Sequence, residues 1–268
     1  MSWPSARASH SPERRRGLCV LTFHRVVERC ERDHDITWTS FLTLLDGITA
    51  EGAPSESRLA GEDGLRGRAV ALTFDDGTAD HQRVGEELAR RGMMGVFFVP
   101  AGRVGMPHRL TMPRLRDLSA LGHRVGSHGF SHLPLDDRTA PEVLTRELRE
   151  SKTLLEDGIG AAVEFFAPPG GFERTKARDE LAAHGYTASR SMRWGIYASV
   201  RDRWSIPCIP VTEFTLARGW VMHALRVRRI PLVMRSGLAI KGWLPDTVRR
   251  SLRKKLHGPF RAPERGIT

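Results

Sequence analysis

Apolar runs rich in β-branched and aromatic residues alternate with amphipathic stretches along most of this 268-residue chain, and that alternation restricts it to a parallel α/β arrangement. The runs at 18–23, 70–74, 95–99, 124–127, 163–167 and 186–190 read as strands, because they are short and bounded by turn residues. Between them, 37–50, 80–91, 112–121, 141–157 and 176–184 read as helices. In the first helix Phe41, Leu44, Leu45 and Ile48 recur at helical spacing, which directs one face to a core. Gly92, Gly122 and Gly158 follow helix ends, and Pro141 stands in the first turn of its helix.

The run Ala71-Leu72-Thr73-Phe74 delivers two adjacent carboxylates, Asp75 and Asp76, onto a turn at Gly77. Successive side chains at a strand end point to different sides, so one carboxylate can bind a metal while its neighbour faces a bound water. A His128-x-x-x-His132 pair follows the strand at 124–127. Catalytic centres of the zinc type take three protein ligands from imidazole nitrogen and carboxylate oxygen and keep one position open. Asp76, His128 and His132 supply that set, with Asp75 as the general base. An Asp-Asp-Gly turn alone is commonplace on surfaces, so the reading rests on the two motifs occurring together behind strands. The donors suit Zn first and also accept Co, Ni or Mn.

Over about residues 18–211 these segments resemble the polysaccharide deacetylase family, also called the NodB-homology domain. Its first motif corresponds to Thr73-Phe74-Asp75-Asp76-Gly77, with Asp80 where the family often carries a further Asp. The second corresponds to Gly126-Ser127-His128-Gly129-Phe130-Ser131-His132. The third, Phe166-Ala167-Pro168-Pro169-Gly170-Gly171, is similar to the family's Phe-Arg-Pro-Pro-Tyr-Gly, and Leu21-Thr22-Phe23-His24-Arg25-Val26 looks like its first strand. The resemblance implies a distorted (β/α) barrel with the site at the C-terminal ends of the strands. It implies a metal-dependent hydrolase of the acetamide of N-acetylated sugars, with the backbone amide at Gly170 as an oxyanion donor.

Two departures place the chain in a divergent branch. Ala167 stands where an Arg would orient the base, so Asp75 is expected to lack a cationic partner and to keep a higher pKa than a paired carboxylate. Gly170 replaces an aromatic residue. The family's late Leu-x-His, which carries the general acid, has one near match in Val221-Met222-His223. His223 and His24, the latter ending a strand on the same rim, are therefore the two candidate acids. The alternatives are a catalytically inactive glycan-binding or scaffold protein of the same fold, or a hydrolase of a small non-sugar amide.

Residues 1–16 are rich in Pro, Ser and Arg without an apolar run, and read as a disordered extension with no signal peptide. Residues 17–215 read as the barrel domain and 216–268 as a basic amphipathic extension. In the latter, eleven Lys and Arg between 218 and 255 face one acid, Asp246, and account for most of the +11 net charge. Trp220, Leu225, Ile230, Trp243 and other apolar residues lie between the cations, a pattern that suits a helix at an anionic membrane surface. The other reading packs these apolar residues on the barrel and leaves the cations solvated. No recognised nucleic-acid-binding motif accompanies the charge. Cys19, Cys30 and Cys208 are scattered and odd in number, which suggests a reducing compartment. The expectation is a cytoplasmic protein, touching the inner face of the membrane at most, that acts on a lipid-linked or membrane-associated glycan intermediate.

Overall fold

The computed structural model describes residues 17–53, 55, 59, 69–171 and 177–227. Among these residues, seven parallel strands close into a barrel: β1 (Cys19–Phe23), β4 (Val70–Phe74), β5 (Gly95–Val99), β6 (Arg124–Ser127), β7 (Phe165–Phe166), β8 (Ala188–Trp194) and β9 (Ile206–Pro210). Closure comes from β1, which pairs with β4 from Cys19↔Val70 to Phe23↔Phe74 and with β9 at Leu21↔Ile209. β1, β4 and β5 are buried at every position, as strands must be when helices cover one face and the barrel interior the other. Two short strands, β2 (Arg25–Val27) and β3 (Asp35–Thr37), pair with each other in parallel beside the barrel.

Strand periodicity sorts the core into two layers. Leu21, Phe23, Leu72, Phe74 and Phe97 face the helices, and the rings of Phe23, Phe74 and Phe97 stack in series at 4.9 Å spacings. Val20, Ala71, Val96, Phe98, Ala167 and Ala188 fill the barrel interior. The crossover helices are α1 (Trp38–Ala50), α2 (His81–Arg90), α3 (Met112–Ala120), α4 (Pro141–Thr145), α5 (Ser151–Ile159) and α6 (Ala177–Ala183). A turn of π-helix, Arg146–Glu150, joins α4 to α5. The start of α1 is capped by Thr37, whose hydroxyl accepts the Ser40 N–H, and the helix buries Phe41, Leu44, Leu45 and Ile48 as its spacing predicts.

The expected distorted barrel is thus present, with corrections in detail. The strand expected at 163–167 shortens to two residues, and β8 runs on to Trp194 with a register shift against β9 between Arg190 and Trp194. β2, β3 and β9 were not read from the sequence. Two helices follow β9, α7 (Glu213–Ala217) and α8 (Trp220–Val227), and Val221, Ala224 and Leu225 of α8 belong to the helix-facing core. Packing on the barrel therefore continues past the expected boundary at 215, because these apolar positions lie on one helical face. The N-terminal extension, and the amphipathic extension from 228 onward, lie outside the described residues. No described helix is long and apolar enough to cross a membrane.

Candidate metal and catalytic site

Strand parity decides where the two carboxylates go. Ala71 points into the barrel, so Thr73 and then Asp75 continue inward along β4; on β8 the same alternation carries the inward side from Ala188 to Arg190. Their side chains meet in the interior, 3% and 1% exposed, with Arg190 Nη2 donating to Asp75 Oδ1 at 2.6 Å and Oδ2 at 2.5 Å. Burial alone would push the Asp75 carboxyl up, but the Arg190 guanidinium, helped by His128 and His24, holds it below the ordinary carboxylate range. The expectation of an unpartnered base is corrected: the cation comes from β8 instead of the third motif. The signal was available, since an Arg closing a strand that is otherwise buried needs a buried anion.

Asp76 points elsewhere because its backbone is left-handed, with φ 76°. His132 is also left-handed, with φ 68°, a state that costs a non-glycine residue about 1–3 kcal/mol and persists only where the surroundings hold it. The two twists bring His132 Nε2 to 2.9 Å from Asp76 Oδ1, with His128 Nε2 3.6 Å from the same oxygen. Ligand atoms of Asp76, His128 and His132 all lie within 4.8 Å of one another, the single such cluster among the described residues. His128 is buried, and its Nδ1–H donates to the Ala167 carbonyl at 2.6 Å, which leaves the Nε2 lone pair facing Asp76. Burial lowers the His128 pKa to about 4 despite the nearby carboxylates, so the ring is neutral at pH 7, as a metal ligand must be. Burial would raise Asp76, but the His132 hydrogen bond, with the imidazoles of His128 and His24 nearby, keeps it well below the usual range. Two imidazoles and an ionised carboxylate converging in this way fit a divalent cation.

The remaining candidates separate. His24 follows β1 on this rim, half-buried and close enough to Asp75 and Asp76 to act on both. It is held from below by α2: His81 Nε2 donates to the His24 carbonyl at 2.5 Å, and Asp80 accepts the Val26 N–H at 2.8 Å. Asp80 therefore holds β2 and does not join the donor cluster. His34, missed in the sequence, lies with its ring centroid 4.9 Å from that of His24. Burial, then His24, lowers its pKa. His223 is not brought to the site. It is exposed on α8, whose Met222 packs on Gly47 of α1 and whose Arg226 pairs with Glu51. Gly170 is exposed in the tight turn Pro169–Gly171 with φ 69°, three residues after the Ala167 carbonyl that orients His128.

A parallel α/β barrel with an Asp-His-His donor cluster and a buried Asp-Arg pair at the C-terminal ends of its strands defines a class of barrel with a metal-type centre. Residues 62–189 match the family model of polysaccharide deacetylases. Over 116 residues it is 29% identical to the peptidoglycan-N-acetylglucosamine deacetylase PgdA of Listeria monocytogenes, covering 42% of this chain and 24% of that protein. Over 117 residues it is 30% identical to a chitin deacetylase of Pestalotiopsis sp, covering 43% and 39% respectively. The chain spans about a quarter to two fifths of the length of the curated relatives it matches. The fold is similar to IcaB from Ammonifex degensii, with TM-score 0.68, 24% identity, and 77% of this chain and 97% of that chain covered.

Proposed function

We propose that this protein is a metal-dependent deacetylase that hydrolyses the acetamide of N-acetylated sugars to acetate and a free amine. The observation that carries the reading is the juxtaposition of the buried Asp75–Arg190 pair with the Asp76–His128–His132 cluster on consecutive residues of one strand end. A divalent ion held by Asp76, His128 and His132, with Zn the first choice and Co, Ni or Mn also suited, would polarise the acetamide carbonyl and bring a water's pKa toward ~7. Asp75, ionised and fixed by Arg190, accepts a proton from the attacking water. The Gly170 amide, in a turn stiffened by Pro168 and Pro169, is the candidate donor to the developing oxyanion. The departing amine needs a proton, and His24, on the same rim with its backbone held by His81, is the better placed of the two candidate acids.

The relatives named for peptidoglycan and chitin deacetylation support an N-acetylated glycan as substrate. The basic segment beyond residue 227 supports a substrate at an anionic membrane surface, with the protein on the inner face. The scaffold alternative drew on the absent motif Arg and on the lack of an assigned general acid, and Arg190 removes the first of these. The test is metal analysis of the purified protein combined with acetate release from N-acetylglucosamine oligomers and from lipid-linked N-acetylated sugars. Release from neither by metal-loaded protein would sink the proposal, and release from oligomers alone would sink the membrane reading.

A further inference from the structure

The segment between the two histidines of the cluster, 129–131, has no regular secondary structure, yet all six of its backbone polar groups are satisfied from outside it. The Gly129 N–H donates to Ser127 Oγ at 3.2 Å and its carbonyl accepts the Ala101 N–H at 3.0 Å. The Phe130 carbonyl accepts the Gly102 N–H at 2.8 Å, and the Ser131 carbonyl accepts Arg103 Nη2 at 3.0 Å. The two remaining groups, the N–H donors of Phe130 and Ser131, both go to Glu147. Phe130 N–H reaches Oε2 at 2.7 Å, Ser131 N–H reaches Oε2 at 3.0 Å and Oε1 at 3.2 Å, and the Ser131 hydroxyl donates to Oε1 at 2.5 Å. Glu147 is 2% exposed and lies in the π turn, a local departure from α geometry that recurs at functional positions. A Cβ on Gly129 would come within 2.8 Å of Glu147 Oε2, so the carboxylate and the loop are in close contact along its length.

We infer that Glu147 is the positioning residue of the metal site: its carboxylate gathers the donors of the 130–131 turn and thereby holds His132 in the left-handed conformation that aims Nε2 at Asp76. The left-handed state of His132 is one that a free loop would leave. Glu147 touches neither ligand; it acts through the turn between them, and it holds that turn whether or not an ion is present. A residue with this role sets how much of the site is assembled before the ion arrives, and hence affinity.

The inference rests on the proposed reading of Asp76, His128 and His132 as metal ligands, and two readouts separate the two. Zinc affinity of the full chain, measured by competition with a chromophoric chelator, should fall by ~10–100-fold in Glu147→Ala, the usual cost of removing a group that orients a metal ligand. Glu147→Gln keeps one oxygen for the two amides and should fall between Glu147→Ala and wild type. Glu150→Ala, on the same turn but exposed and paired with Arg146, should bind zinc as wild type does. In metal-free protein the Phe130 and Ser131 amides should be protected from hydrogen exchange in wild type and lose that protection in Glu147→Ala. A folded Glu147→Ala protein with wild-type zinc affinity and amide protection overturns the inference. Should that variant not fold, Glu147→Gln and Ser131→Ala each remove part of the clamp, and wild-type affinity in both overturns it equally. If wild type itself takes up no divalent ion, the metal reading fails, while the amide protection still decides whether Glu147 holds the turn.

Discussion

Asp75 and Asp76 are joined by one peptide bond and occupy two different kinds of structure. Asp75 is part of the floor: it continues the inward face of a regular strand, and its partner Arg190 sits on another strand 115 residues away in sequence. Asp76 is part of the rim: it leaves the strand through a left-handed backbone, its side chain is 22% exposed, and its partners His128 and His132 belong to one short motif. The floor is held by strand register and a buried ion pair, the rim by loops pinned at their backbone. Arg109 Nη1 on the Asp76 carbonyl at 2.7 Å is one such pin, and Arg103 on the Ser131 carbonyl is another. The contrast suggests a division of labour in which the floor sets the protonation state of the base and the rim sets metal affinity. Substitutions should therefore separate the two.

The largest effect should come from Asp75→Asn, which removes the proposed proton acceptor while keeping the shape. Turnover should drop by ~10²–10⁴-fold, the usual contribution of a general base, with zinc content close to wild type. His128→Ala should lower both. Acetate release and metal content, measured on the same preparations, check the split. Zinc lost in Asp75→Asn would mean that floor and rim are one unit.

Arg190→Met is next. It leaves the Asp75 charge buried and unpaired, which costs about 3–5 kcal/mol when one partner of a buried pair is removed. Denaturant titration at pH 7 should show that loss. The double variant Asp75→Asn/Arg190→Met should recover part of it, because no charge is then stranded. The pH dependence follows from the sign of the shift. Asp75 is held below its ordinary pKa in the folded protein, so its contribution is present above the unfolded carboxylate value and is lost as pH falls through the folded one. Arg190→Met should flatten that acid limb. Equal stability of wild type and Arg190→Met would remove the floor from the comparison.

The same contrast explains what could be read in the sequence. The rim was legible because its donors are close together in motifs whose chemistry is local: Asp76 after a strand, and His128 and His132 four residues apart. The helices with strong periodicity, such as α1, were legible for the same reason. Arg190 was legible only as a cation on a buried strand, since nothing near it in sequence indicates its partner, and only closure of the barrel brings β8 opposite β4. Glu147 was hidden likewise, because an acid at an apparently surface position of a long helix looks solvated until the π turn and the 129–131 loop are seen together. His223 was misplaced by a short motif match, although the apolar spacing of Val221, Ala224 and Leu225 already turned the helix's core face away from it. The two-residue β7 and the strands β2 and β3 are too short to carry a periodic signal.

The smallest effect concerns whether burial can keep an imidazole neutral in this barrel, which is best asked of a ring with no carboxylate beside it to oppose that effect. His123 is the control: it is buried, distant in role from the carboxylates, and held between Gly95 and Gly85. The Gly95 N–H donates to Nδ1 at 3.1 Å, so the ring proton is on Nε2 and goes to the Gly85 carbonyl at 2.9 Å. A second proton would have to displace the Gly95 donor. Burial accordingly lowers the His123 pKa, with the Gly85 bond opposing it. Because the folded value lies below the unfolded one, the unfolded chain takes up the proton first as pH falls. The contribution of His123 to stability is complete above the unfolded value of about 6.5 and declines as pH drops toward the folded value. His123→Gln preserves a donor and an acceptor without a titrating group, so its melting temperature should fall less steeply than that of wild type between pH 7 and pH 5 in zinc-free protein. Parallel melting curves for the two proteins across that interval would show that His123 does not titrate on unfolding. Burial could then no longer be taken as sufficient to keep His128 neutral beside Asp75 and Asp76, whose charges favour its protonated form.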